Sequence, residues 1–168
     1  TGGMGTYSFA NHSLPFLSKQ DVLDAQQTNE RVALELYKQT GQHFRGVLYG
    51  GFMLTKKGVK VIEYNARFGD PEAMNVLSIL ETDFIEICNA IVSESLASLK
   101  ISFKNEATVC KYAVPVGYPD SPSKNFEVFC NPEDHNLYLA AVQKTAGGLI
   151  ATGSRTAAFV GINQKIGI

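Results

Sequence analysis

Glu63, Asn65, Arg67, Asp70 and Glu72 crowd the stretch VIEYNARFGDPE, Val61 to Glu72. Its first half is apolar and β-like. In a strand successive side chains alternate between faces, so Val61, Glu63 and Asn65 are expected on one side and Ile62, Tyr64 and Ala66 on the other. A carboxylate and an amide carbonyl side by side are hard oxygen donors. They suit Mg²⁺, which takes one or two carboxylates and completes its octahedron with water and substrate phosphates. A metal so held bridges phosphate oxygens and offsets the charge that develops in phosphoryl transfer. Arg67, beyond the strand end, offers a planar fork for a carboxylate or phosphate. The same alternation also describes a sheet face that meets water. Asp70 before Pro71 reads as a helix N-cap and first helical residue, and Glu72 in a first turn complements the helix dipole. The density of Arg67, Asp70 and Glu72 on a loop fed by a strand is what favours a site, because such loops are where sites are built.

Two further segments can meet an anion. TGGMG, Gly2, Gly3, Met4 and Gly5 after Thr1, presents backbone N–H groups if it forms a nest, and a plain tight turn explains it equally well. GSR, ending at Arg155, places a cation in a turn between two strands, where a solvated side chain is the expected state. His12, His43 and His135 are isolated and carry no assigned role.

The elements that must hold these residues follow from local signals. Ser18 with Asp21 three residues on starts a helix that carries Val22, Ala25, Val32 and Leu36 and closes at Gly41. RGVLYGGFMLT, the turn KKG and VKVIEYN form a hairpin. A helix follows Asp70-Pro71 with Ala73, Val76, Leu77 and Leu80 at helical spacing, and another follows an Asp83 cap over DFIEICNAIVSESL. From about Ala107 short β-like runs alternate with Pro, Asp, Asn and Gly. The change of texture near Ser98 to Glu106 is the expected lobe boundary, dividing residues 1–100 from 101–168.

With 168 residues, 45% hydrophobic and 18% charged, the chain reads as globular rather than disordered. A formal net charge of -1 without like-charge blocks points away from nucleic acid and anionic membrane surfaces, and towards a small-molecule ligand. No apolar run approaches the roughly 20 residues that span a bilayer. Cys88, Cys110 and Cys130 have no metal-like spacing and read as buried thiols of a reducing, cytoplasmic compartment. The opening TGGMGTYSF, without Met, and the closing GINQKIGI both read as cuts through a longer chain.

GGMGTYS, then GVLYGGFMLTKKGVKVIEYNARFGDPEAMNVL, then a β-rich tail resemble the phosphoribosylamine–glycine ligases of the ATP-grasp superfamily over nearly the whole chain. The NARFGDPE segment is the most specific part, and EAMN at Met74 resembles the archaeal type of the signature. The resemblance implies an α+β fold: the C-terminal part of an ATP-grasp domain, an antiparallel sheet with helices, followed by a small β-rich lobe. It implies ATP-dependent ligation of glycine to 5-phosphoribosylamine through glycyl phosphate, with Mg²⁺ or Mn²⁺, in purine synthesis. Glu63 and Asn65 match the metal ligands. Arg67 and Asp70 match catalytic positions. Gly2, Gly3, Met4, Gly5, Asp70, Pro71 and Glu72 match the substrate border. Gly50 and Gly51 stand where many other ATP-grasp enzymes place a further acidic ligand. The nucleotide-facing lysines and glycine-rich lid expected upstream in the same enzyme are not among these residues. Two other readings stay open: another ATP-grasp carboxylate–amine ligase, or a non-catalytic nucleotide-binding module.

Overall fold

A computed structural model describes residues 3–131 and 133–166. The fold is α+β. In chain order the elements are β1 (Gly5–Ser8), α1 (Lys19–Thr40), β2 (Tyr49–Thr55), β3 (Gly58–Asn65), α2 (Glu72–Ser78), α3 (Phe84–Val92), β4 (Ala107–Ala113), β5 (Glu127–Val128), β6 (Leu137–Leu139), β7 (Val142–Thr145), β8 (Gly148–Ala151) and β9 (Ala157–Asn163). Contacts group them into two units, neither continuous in sequence. One joins Thr1–His12, Asp70–Ile79 and Lys104–Ile168; the other joins Ser13–Gly69 and Leu80–Phe103. These units do not coincide with a 1–100 and 101–168 split, although one crossing, between Phe103 and Lys104, falls where the sequence texture changes.

In the Ser13–Gly69 unit, α1 begins with the expected capping box. The Ser18 hydroxyl accepts from the Asp21 N–H, and the Asp21 carboxylate accepts from the Ser18 N–H at 2.8 Å. Hydrogen bonds from Ser18 hold the Asp21 carboxyl below the usual carboxylate range. The helix ends at Gly41, whose φ of 69° belongs to the left-handed region that glycine enters at least cost. Strands β2 and β3 form the expected antiparallel hairpin, closing through Lys56-Lys57 with Gly58 at φ 85°. The hairpin is fastened to α1 by the Tyr64 hydroxyl, which donates to Asn29 Oδ1 at 2.9 Å. Helix α3 starts where expected, with the Asp83 carboxylate accepting from the Ile85 N–H at 2.7 Å.

In the other unit, β1, β4, β9 and β6 make an antiparallel sheet in that order, and β5, β8 and β7 make a second, smaller one. Strand β4 alternates strictly: Thr108, Cys110 and Tyr112 are buried, while Val109, Lys111 and Ala113 are exposed. Cys110, Tyr112, Ala158 and Val160 form the core, with Met74 of α2 and Val114 packed on it.

Three local expectations are corrected. Asp70 does not cap α2: the capping position belongs to Pro71, which offers no side-chain bond, and the Asp70 carboxylate is drawn away to two side chains of its own unit. The apolar spacing of α2 also misses what the helix buries. Val76 and Leu77 are exposed, and the buried residue is Asn75, whose amide donates to Thr108 Oγ1 at 2.7 Å and the Thr6 carbonyl at 3.3 Å. Those bonds tie α2 to β1 and β4 and repay part of the amide's desolvation. Of the three cysteines only Cys110 is fully buried; Cys88 is exposed and Cys130 half-buried. Burial pushes the Cys110 thiol above its ordinary range, and the nearby Asp70 and Glu72 charges add to it.

Candidate functional site

Glu63 and Asn65 lie on one face at the end of β3, and their side chains touch: Asn65 Nδ2 donates to Glu63 Oε1 at 3.2 Å. That bond turns the amide nitrogen inward and leaves the amide oxygen on its other side. Their pairing partners across the hairpin are Tyr49 for Asn65 and Gly51 for Glu63. Val61 does not share their face as strict alternation would have it. The ladder shifts between Gly51 and Phe52, so Ile62 is an extra residue in β3 and Val61 pairs with Phe52. Directly paired residues share a face. Phe52 lies edge-on to Tyr64 with 6.2 Å between ring centroids, which puts Val61 on the Tyr64 side. The bulge thus isolates Glu63 and Asn65 as a polar pair.

The two glycines opposite serve different ends. A Cβ on Gly50 would stand 2.7 Å from Phe52 Cε2, 2.9 Å from Asn29 Oδ1 and 3.0 Å from Tyr64 Cε1, so no side chain fits between hairpin and helix. On Gly51 a Cβ would meet Glu63 Cγ at an ordinary 3.5 Å. Gly50→Ala is therefore expected to lose about 2 kcal/mol of stability through overpacking. Gly51→Ala is expected to stay within about 0.5 kcal/mol, as an unstrained surface change does. Denaturant unfolding of both variants checks this, and equal losses would contradict it.

A donor set of one carboxylate and one amide oxygen fits a hard divalent cation that takes the rest of its shell from water and phosphate oxygens. Among the described residues no group of three or more His, Cys, Asp and Glu is placed to hold a metal, so a closed, all-protein site of the zinc kind has no candidate there. Arg67 is exposed, and its Nη1 donates to the Phe68 carbonyl at 2.7 Å, folding the guanidinium back on its own loop.

Asp70, Pro71, Gly3 and Met4 come together in the other unit around Tyr112, which local sequence signals did not mark, and Arg155, which they gave as a solvated turn residue. Arg155 Nη2 donates to Asp70 Oδ2 at 2.6 Å, and its Nη1 donates to the Gly3 carbonyl at 2.8 Å. The guanidinium carbon lies 4.6 Å from the centre of the Tyr112 ring. The Tyr112 hydroxyl donates to the other Asp70 oxygen, Oδ1, at 2.8 Å, and the Tyr112 N–H donates to the Met4 carbonyl at 2.9 Å. Arg155 is thus no solvated turn residue: its side chain is only 18% exposed, because an anion, a carbonyl and an aromatic face replace its water. Burial first, then the hydrogen bond to Asp70, pushes the Tyr112 phenol up to about 12. Pro71 is fully buried, Glu72 opens α2, and Gly5 begins β1 opposite Lys111. The carbonyls of Gly3 and Met4 are both taken by protein donors, and Gly2 lies outside the described residues. What could have revealed Arg155 from sequence is its place beside the apolar TAAFV run, since a charge that close to a core needs a partner.

Residues 1–73 match the family described as phosphoribosylglycinamide synthetase, ATP-grasp (A) domain. Phosphoribosylamine–glycine ligases of Methanocaldococcus jannaschii and Methanosarcina acetivorans are 48% and 49% identical to this chain over 99% of it. Along nearly its whole length the chain is thus similar to part of a phosphoribosylamine–glycine ligase. It covers 38% of the length of those two relatives. The crystal structure of the Thermotoga maritima phosphoribosylamine–glycine ligase superposes with a TM-score of 0.72 at 27% identity, covering 98% of this chain and 40% of that one. The phosphoribosylglycinamide synthetase of Anaerococcus prevotii shares the fold at a TM-score of 0.53 and 14% identity, over 97% of this chain and 40% of that one. The family's α+β architecture is therefore that of this chain, and no helix among its described residues is long and apolar enough to cross a membrane.

Proposed function

We propose that this chain supplies part of an ATP-dependent carboxylate–amine ligase. Its reaction joins glycine to 5-phosphoribosylamine through glycyl phosphate and yields glycinamide ribonucleotide, ADP and phosphate for purine synthesis in the cytoplasm. The observation that carries this is identity of 47% to 51% with phosphoribosylamine–glycine ligases along 99% of the chain. Glu63 and Asn65 are the residues that would hold Mg²⁺ or Mn²⁺, which when bound offsets charge on the ATP phosphates. Glu63 contributes the formal charge, and Asn65 orients it through their shared hydrogen bond. Arg67 would exchange the Phe68 carbonyl for the anionic group being transferred, a neutral acceptor for a charged one.

Gly2, Gly3, Met4, Gly5, Asp70, Pro71 and Glu72 border the small-molecule substrates. With both oxygens of its carboxylate engaged, Asp70 shapes that border as an anchor. The remainder of the same enzyme chain provides the nucleotide-facing groups. In the full-length protein that carries this chain, ATP consumption is expected only when glycine and phosphoribosylamine are present together. Consumption driven by an unrelated acid would instead favour a different ATP-grasp ligase, and none with any acid would favour a binding module.

A further inference from the structure

We propose that Arg155 is a positioning residue for the acceptor amine, resting on the reading that residues 2–5 and 70–72 border the substrates. Its fork joins two segments far apart in sequence: the Gly3 carbonyl, 152 residues away, and the Asp70 carboxylate, 85 residues away. A third bond, longer at 3.4 Å, runs to the Asp70 carbonyl. The two segments are already as close as atoms allow, since a Cβ on Gly3 would lie 2.7 Å from Pro71 Cδ and 3.1 Å from the Asp70 carbonyl oxygen. Arg155 holds that closeness against thermal motion.

Its own backbone is immobilised, because the Ala141 N–H donates to the Arg155 carbonyl and the Thr156 N–H to the Ala113 carbonyl, each at 2.9 Å. Tyr112 closes the clamp from beneath, stacking on the guanidinium while its hydroxyl holds the second Asp70 oxygen. The clamp makes the Gly3–Met4 segment and the Asp70–Glu72 loop one rigid edge. A phosphorylated sugar amine docking on that edge pays no ordering cost for it, and small misplacements of such edges are costly to reaction. Lysine has the charge and three donors but not the planar fork, so it cannot hold the carboxylate and the carbonyl at the same fixed separation and angle.

Arg155→Lys in the full-length enzyme tests this in two ways. The Tyr112 amide, bonded to the Met4 carbonyl, is expected to exchange its hydrogen about tenfold faster, whether or not the ligase reading is right. In the ligase assay, KM for phosphoribosylamine is expected to rise about tenfold or more while KM for ATP stays within about twofold. Tyr112→Phe keeps the stacked ring but frees one Asp70 oxygen, and a rise of about threefold in the same KM is expected; this variant decides the matter if Arg155→Lys does not fold. Unchanged exchange at the Tyr112 amide overturns the clamp. Equal changes in both KM values, or none, in an active enzyme overturn its role in placing the amine. A wild-type enzyme that ignores phosphoribosylamine overturns the ligase reading, and the exchange measurement still judges the clamp.

Discussion

In the full-length protein, under the ligase function proposed above, Glu63→Gln is expected to lower turnover by about 10²- to 10³-fold, the usual loss when one preorganised electrostatic group is removed from a charge-developing site. The substitution is chosen because it changes little else. Glutamine keeps an oxygen able to accept from Asn65 Nδ2, and Glu63 is exposed at the end of β3, so the polar pair keeps its shape. Stability is expected within about 0.5 kcal/mol of wild type, which for a chain of this size is a shift of roughly 1–2 °C in Tm. Steady-state kinetics at saturating Mg²⁺ together with a thermal scan separate the two quantities. Turnover within about threefold of wild type would remove Glu63 from the metal pair, and a large fall in Tm would make it a structural residue instead.

The second expected result concerns alkaline stability. Tyr112 is 7% exposed, and its phenol is pushed up to about 12. The folded state therefore holds the phenolic proton more tightly than the unfolded chain, whose tyrosines lose theirs near pH 10. The stabilisation is complete below about pH 10 and disappears as the pH climbs from 10 through 12, amounting to roughly 3 kcal/mol in all. Tyr112→Phe abolishes this part of the alkaline slope. At neutral pH the same variant lacks the hydrogen bond to the Asp70 carboxylate and is expected to be less stable by about 1–2 kcal/mol. Urea titrations of both proteins between pH 8 and 12 check the difference, which should shrink above pH 10 and reverse towards pH 12, where Tyr112→Phe becomes the more stable. Parallel curves would mean that Tyr112 ionises as an ordinary tyrosine.

What was legible in the sequence was whatever is decided locally. The capping box at Ser18, Gly41 at the helix end, the Asp83 cap and the hairpin turn at Gly58 each satisfy backbone groups with neighbours a few residues away, and all stand in the structure as read. Glu63 and Asn65 were legible for the same reason, as next neighbours on one strand face. Val61 was not, because a bulge depends on the partner strand. Asp70 failed most instructively. Asp before Pro is a sound local capping signal, but partners 42 and 85 residues further on hold the carboxylate more strongly than an N–H of its own helix can. Arg155 and Asn75 are the same lesson from the other side, since each looked like a surface or apolar-spacing position until its distant partner was in place. Strand β1 was missed because four residues beginning at glycine carry almost no pattern of their own, and it exists through pairing with β4.

That pairing has a consequence for the order in which the molecule can be made. Ser8 bonds to Thr108 across 100 residues of intervening chain, while α1 and the β2–β3 hairpin complete themselves within the first 65. On a ribosome, the hairpin and its helix can form as soon as they emerge, whereas Gly3 and β1 must wait for β4, and the Asp70 anchor must wait for Arg155, 85 residues further on. The clamp that joins Gly3 to Asp70 is thus assembled after the hairpin and its helix. A nascent or truncated chain that stops before Arg155 would carry a finished Glu63–Asn65 pair and an Asp70 carboxylate still without its guanidinium partner.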